Sequence, residues 1–360
     1  MKDYKIKHTN YSDWISGDLE DTSTSESTKP ELNFVAEPDT DKLIEFPPYI
    51  ALEITNVCNL KCTHCNYRYG LDHYTRDRGY AEEKLVKLVL EQAKEHGASV
   101  LMNYDGEPLM HKNFINYLKL AVEADVNTYF NTNATMLTKE KSDELLDFYK
   151  GSIFVSVDGD KEWFEKVRVG ASFEKVMDNL NYLISANEKK GKPITIGVSL
   201  CNLGQSQADR TDFLNEWINR VDYVSMGEVN DKFGTIISDK MIQYKIKKRP
   251  TCSVPWETVG ISHNGDVIPC SIYITRANTV DGAIVGNIFE NSLKDIWNGE
   301  KMENFRQIHR SKNMENTYCD KCERWHYQFV FSRYETDRYK AERNGFWSTF
   351  QNNKSDLNFK

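Results

Sequence analysis

The sequence predicts an α/β protein built on a parallel sheet. From Pro48 onward, short apolar runs alternate with segments whose apolar residues recur about every 3.6 positions. The order is regular, strand then helix, which favours right-handed crossovers between neighbouring parallel strands. At 360 residues the chain has room for about two domains and a sizeable core.

The elements follow in order. Strands are expected at Tyr49 to Thr55, Ser99 to Tyr104, Asn127 to Asn131, Ile153 to Asp158, Ile194 to Leu200 and Asp222 to Met226. Helices are expected between them at Glu82 to Glu95, Phe114 to Ala124, Lys139 to Tyr149, Phe173 to Glu188 and Thr211 to Asn219. Residues 1–45 are polar and read as a flexible arm, with Asp21 to Thr28 as a short biased tract. No internal repeat of fixed period is present, which sets aside solenoids and propellers. Later in the chain, Thr258 to Ser262, a turn at His263-Asn264-Gly265-Asp266 and Val267 to Cys270 read as a β-hairpin, because Asn-Gly between apolar residues favours a tight turn.

Parallel sheets of this kind gather ligands at the C-terminal ends of their strands. The first strand runs into Cys58-Asn59-Leu60-Lys61-Cys62-Thr63-His64-Cys65, a C-x3-C-x2-C loop. Three clustered thiols with no near fourth ligand suit structural zinc poorly, and His64 sits between two of them where a common tetrahedron would be strained. An iron–sulfur centre with one open position fits better, although the first gap is longer than in ferredoxin runs.

That loop resembles the signature of the radical S-adenosylmethionine (SAM) superfamily. The resemblance implies a partial (β/α)6 TIM-like barrel over residues 46–235. It implies a 4Fe-4S cluster on Cys58, Cys62 and Cys65 that binds SAM and cleaves it to methionine and a 5'-deoxyadenosyl radical. His64 would then pack near adenine. The second strand ends in Asp105-Gly106-Glu107-Pro108, similar to the family's G-G-E-P segment with Asp105 in place of the first glycine. Gly106, Glu107 and Pro108 would present carbonyls and a carboxylate to the SAM ammonium. The third ends in Thr132-Asn133-Ala134, similar to T-N-G, and the fourth in Ser156-Val157-Asp158-Gly159, similar to S-x-D-G. By resemblance Ser156 and Arg168 contact SAM, Arg168 pairing with its carboxylate, with Asn133 and Asp158 as neighbours and Leu200 at the adenine position.

Cys252, Cys270, Cys319 and Cys322 form a second set, which by chemistry alone suits either zinc or a fully ligated 4Fe-4S cluster. Gly286 to Phe289 and Ser292 to Asn298 resemble the C-terminal extensions called SPASM and twitch domains, which implies an auxiliary 4Fe-4S cluster. No cysteine follows Cys322, so the count supports one such cluster and a twitch-like extension over residues 236–335, with residues 336–360 as a tail. His263 reads as a turn residue, since four thiolates suffice. Cys201 ends the fifth strand and reads either as an inert buried thiol or as a hydrogen-atom donor to a substrate radical.

Net charge is −8 and the pI about 5.6, so neither nucleic acid nor an anionic membrane is expected as a partner. The N-terminus lacks an apolar signal core and no stretch reaches the ~20 apolar residues of a membrane span. A cytoplasmic location is therefore expected, and there clustered cysteines favour metals over disulfides. Three functions compete. The first is hydrogen abstraction from a sugar, aminocyclitol or similar small molecule, giving dehydrogenation or epimerisation. The second is peptide or protein modification, and the third a non-catalytic iron–sulfur sensor or scaffold. The resemblance implies a flavodoxin- or ferredoxin-type electron donor for the first two.

Overall fold

The computed structural model describes residues 40, 44–65, 76–228, 251–270, 282–315, 317, 319, 320, 322, 330–335, 338–344 and 347–353. The expected N-terminal arm lies outside these apart from residues 40, 44 and 45. Six strands form the centre: β1 (Tyr49–Leu52), β2 (Ser99–Leu101), β3 (Thr128–Thr132), β4 (Ser152–Ser156), β5 (Thr195–Asn202) and β6 (Tyr223–Glu228). They pair in sequence order and all in parallel, as the alternation requires.

The crossovers are α1 (Glu83–His96), α2 (Phe114–Glu123), α3 (Lys139–Phe148), α4 (Lys161–Val167), α5 (Phe173–Lys189) and α6 (Gln207–Trp217). Helix α1 buries Leu85, Val86, Val89, Leu90 and Ala93, one face at helical spacing, and stops where Gly97 takes a left-handed φ of 67°. Each large side chain so buried contributes about 2 kcal/mol. Helix α4 was not expected. It has seven residues, too few to display a period, and starts from the Asp160 cap. Helix α6 starts at Gln207, earlier than expected, because Ser206 and Asp209 form a reciprocal capping box.

The sheet continues beyond both ends of this parallel set. Strand β7 (Thr258–Ile261) runs parallel to β1 and turns back through β8 (Asp266–Ile268), the expected hairpin, and then β9 (Gly286–Asn287). On the other side, β10 (Val330–Glu335), β11 (Tyr339–Asn344) and β12 (Trp347–Asn352) form an antiparallel meander that docks on β6. This corrects the expected tail at residues 336–360: β11 and β12 lie within it, and they cover the edge that β6 would otherwise expose. The result is one open sheet of twelve strands among the described residues.

Two short helices complete the second region, α7 (Val254–Glu257) and α8 (Leu293–Trp297), with the longer α9 (Glu300–Ser311) after them. The Ile44 carbonyl accepts the Trp297 indole N–H at 2.7 Å, and the Thr40 carbonyl accepts Arg310 Nε at 3.3 Å. The segment before β1 is thus tied to α8 and α9. No helix among the described residues is long and apolar enough to cross a membrane.

Candidate active site

Alternation along the strands sorts their side chains. Ile153, Val155, Ile196, Val198, Leu200 and Val224 are almost fully buried in the core. Their neighbours Phe154, Ser156, Ser199, Cys201, Tyr223 and Ser225 are only partly buried and line the opposite face. Leu200 therefore presents its side chain to the core, leaving its backbone at the strand end. The residue on the open face at that strand end is Cys201, which stands opposite Gly227 of β6.

The cysteine loop is held from three sides. Lys61 N donates to the Val169 carbonyl at 2.9 Å and Thr63 N to the Val167 carbonyl at 2.8 Å, so the segment carrying Arg168 lies alongside the loop. Glu107 N donates to the Val57 carbonyl at 2.9 Å. Gly106 has φ 74°, and a Cβ there would stand 2.5 Å from the Thr55 carbonyl oxygen, so glycine is required on both counts. From the third side, Asn59 Nδ2 donates to Thr135 Oγ1 at 2.8 Å and Asn133 Nδ2 to Asn59 Oδ1 at 3.0 Å.

Donors also converge on the sulfurs. Leu60 N lies 3.5 Å from Cys58 Sγ, Asn133 Nδ2 3.9 Å from the same atom, and Arg168 Nη1 4.0 Å from Cys62 Sγ. Burial pushes the Cys58 thiol up to about 12 and raises that of Cys62. A thiolate here needs a cationic partner as well as hydrogen bonds. Three thiols on one loop, none in a disulfide, with such donors suit an iron–sulfur cluster that leaves one position open.

Glu107 is buried and bridges two strand ends. Its Oε1 accepts from Leu109 N at 3.1 Å and Thr132 Oγ1 at 2.7 Å, and its Oε2 from Asn133 N at 2.7 Å. A carboxylate offers about four acceptor positions. The three used hold β2 and β3 in place, and the remaining capacity suits an ammonium. Burial raises the Glu107 pKa despite those bonds, and a cationic ligand beside it would favour the ionised form. Pro108 opens a single 3-10 turn (Pro108–Met110) and fixes the loop's exit.

Asp158 is the second hub. Its Oδ2 accepts Arg168 Nε at 2.6 Å, its Oδ1 accepts Cys201 N at 2.7 Å, and its own carbonyl accepts Gln205 Nε2 at 3.1 Å. His64 Nε2 stands 3.9 Å from Asp158 Oδ2, and burial together with Arg168 holds the His64 pKa down to about 4, so its ring is neutral. One edge of Arg168 is thus committed to Asp158, and the other faces the cysteine loop.

The expected residues Cys58, Cys62, His64, Gly106, Glu107, Pro108, Asn133, Asp158 and Arg168 are joined here, with Cys65 on the same loop. Ser156 lies one row inside, opposite Ser199. Sequence reading missed Asn59, Thr132, Thr135 and Gln205. Thr132 belongs to the recognised Thr132-Asn133-Ala134 segment, while Gln205 lies in a loop without any pattern.

Three thiols share one strand-end loop at the mouth of a parallel sheet, beside a buried carboxylate and an Asp–Arg pair. Residues 52–215 match the model of the radical SAM superfamily, and residues 252–323 that of the SPASM iron–sulfur cluster-binding domain. The chain is a radical SAM enzyme with a SPASM domain, and its cofactors are SAM and iron–sulfur clusters. When bound, these supply reductive cleavage of SAM to a 5'-deoxyadenosyl radical.

Two curated relatives are similar over most of the chain. The tungsten-containing aldehyde ferredoxin oxidoreductase cofactor-modifying protein of Pyrococcus furiosus is 24% identical over 315 residues, covering 76% of this chain and 86% of the relative. The antilisterial bacteriocin subtilosin biosynthesis protein AlbA of Bacillus subtilis is 25% identical over 306 residues, 77% of this chain but only 65% of that relative. Among solved structures, Streptococcus suis SuiB bound to SAM has a TM-score of 0.61 at 18% identity, covering 80% of this chain and 73% of that one. BtrN in complex with SAM and 2-DOIA has a TM-score of 0.51 at 20% identity, covering 77% and 93%. These structural likenesses concern the fold.

Proposed function

We propose that this enzyme removes a hydrogen atom from a small hydroxyl-bearing metabolite, a sugar, aminocyclitol or similar, to give dehydrogenation or epimerisation. The observation that supports this reading is the open face of the sheet. Register aligns Ser156, Ser199, Ser225 and Thr349 in one row across β4, β5, β6 and β12, all half-buried. One row deeper, Phe154 lies over Gly197, where any Cβ would meet its ring at 2.4 Å, and approaches Tyr223 with ring centroids 6.4 Å apart. An aromatic floor beneath a row of hydroxyls suits a ligand with an apolar ring face and many hydrogen-bonding edges.

In this reading Cys58, Cys62 and Cys65 hold the SAM-binding cluster, and Cys252, Cys270, Cys319 and Cys322 hold one auxiliary cluster. Glu107 would receive the SAM ammonium, and Arg168, set by Asp158, its carboxylate. His64, Gly106, Pro108, Asn133 and Ser156 would shape the rest of the pocket. Dehydrogenation leaves an electron to be accepted and a proton to be lost, which gives the second cysteine set its use. Epimerisation instead returns a hydrogen atom to the opposite face of the carbon, a task for the Cys201 thiol, whose thiyl radical would regain the thiol by taking one electron from the auxiliary cluster and a proton from solvent. A reduced flavodoxin or ferredoxin would supply the initiating electron.

The named relationship to AlbA favours a second reading, peptide modification. Reconstituted full-length protein with SAM and dithionite, offered sugars and aminocyclitols in one series and peptides in another, separates the two. The first reading expects small polyols to stimulate 5'-deoxyadenosine release, and stimulation by peptides alone would sink it. With an active substrate, Cys201→Ala should abolish epimerised product while SAM cleavage continues, whereas a dehydrogenase should keep its product.

A further inference from the structure

Helix α9 directs a buried imidazole at the second cysteine set. His309 is 1% exposed, and its Nε2 lies 3.5 Å from Cys319 Sγ. The ring is fixed edgewise between Phe305, at a centroid distance of 5.0 Å, and Trp256, at 6.5 Å. Trp256 belongs to α7, which begins two residues after Cys252. Arg306, one turn earlier on α9, is fully buried over the Trp297 ring and donates from Nε to the Pro255 carbonyl at 3.1 Å. Burial lowers its pKa to about 10, which still leaves it charged at neutral pH.

A neutral thiol is a weak acceptor, and burying an imidazole to meet one would recover little of its lost hydration. A ligated thiolate is a strong acceptor, and the arrangement is favourable for that species. Hydrogen bonds to cluster sulfurs stabilise the reduced, more negative state and so raise its potential. We propose that His309 is a positioning residue for the auxiliary cluster: it donates from Nε2 to the Cys319 thiolate, holds it in place and raises the cluster's reduction potential. This rests on the reading of Cys252, Cys270, Cys319 and Cys322 as ligands of an iron–sulfur cluster.

The test uses the full chain with Cys58, Cys62 and Cys65 replaced by Ala, so that iron and redox signals report the second set alone. Absence of iron in that background would defeat the ligand assignment itself, whatever His309 does. Into it are placed His309→Phe, which keeps a ring between Phe305 and Trp256 but has no donor, and His309→Gln, which restores an N–H. Iron is counted, and the potential is read by a redox titration followed by electron paramagnetic resonance. With iron retained, His309→Phe should lower the reduced-to-oxidised ratio at a fixed potential about tenfold, ~59 mV for a one-electron couple, and His309→Gln should return it to within about threefold of the parent. Loss of iron from the Phe variant with retention in the Gln variant supports the same role. An unchanged potential in an iron-replete Phe variant overturns the proposal, and so does equal loss of iron, or an equal fall in potential, in both variants.

Discussion

Cys58, Cys62 and Cys65 sit on one loop, pinned between two strand ends and the segment around Arg168, whereas the later four cysteines are spread over residues 252–322. In the first region the sheet arranges the thiols, and short loops make closure inexpensive in entropy. In the second, Cys252 precedes α7, Cys270 follows β8, and Cys319 and Cys322 follow α9, so distant segments must be gathered before any metal is held. With the four cysteines proposed as ligands, metal binding and folding should be coupled more strongly in the second region.

The largest effects should come from the cysteines themselves. Cys58→Ala is expected to abolish 5'-deoxyadenosine formation, by about a thousandfold or more, because it removes a proposed ligand of the cluster that would pass the electron to SAM. Cys252→Ala should spare SAM binding at the first region and abolish product. Equal loss of SAM binding in both variants would break the distinction between the regions. Stripping iron from the wild-type protein should then increase amide exchange in α7 and around Cys319 far more than in β1 to β5. A uniform increase would mean that both regions depend on metal alike.

A second, smaller effect concerns the tie between the regions. Glu53 follows β1 and is fully buried, with Arg76 Nη1 at 2.9 Å and His263 Nδ1 at 2.9 Å from its oxygens. His263 belongs to the turn between β7 and β8, so this carboxylate joins the strand that feeds the first cysteine loop to the hairpin that precedes Cys270. Arg76→Met leaves a buried charge half-compensated and should cost about 3 kcal/mol in urea unfolding. Burial would raise the Glu53 pKa, but the bonds from His263 and Arg76 outweigh it and the pKa is lowered below 4.5. A folded pKa below the unfolded value gives stability that is present above about pH 4.5 and lost as pH falls through the folded value. The wild type should lose stability below that pH, and the Arg76→Met protein should lose less over the same interval. Equal slopes would remove Glu53 as the link.

Legibility differed between the regions for the same physical reason. The six parallel strands, the cysteine loop, Glu107 and Arg168 were readable because each depends on a local period or a short motif at a strand end. Helix α4 was too short to show a period. Strands β11 and β12 were missed because meander strands at a sheet edge are defined by their partner, β6, more than by their own apolar content. His263 read as a turn residue, and it is one, but its contact with Glu53 joins positions 210 apart and has no sequence signature. The pairing of His309 with Cys319 was equally hidden, since nothing in a helical period distinguishes a core histidine from a sulfur donor.

The smallest expected effect tests how tightly the first region is built. Ala134 stands where the family resemblance has glycine, and it holds a left-handed φ of 55° while fully buried. For a non-glycine residue that conformation costs about 1–2 kcal/mol. Ala134→Gly would relieve it but would lose a buried methyl worth about 0.8 kcal/mol and add unfolded-state freedom worth about 0.5–1 kcal/mol. These nearly cancel, so the variant should match the wild type to within about 0.5 kcal/mol, a melting shift of about 2 °C or less. A gain well above that would show that the Thr132 to Thr135 turn is strained by its alanine. A loss well above it would show that the Ala134 methyl is a packing element of the site, and that this strand end tolerates less change than its hydrogen bonds suggest.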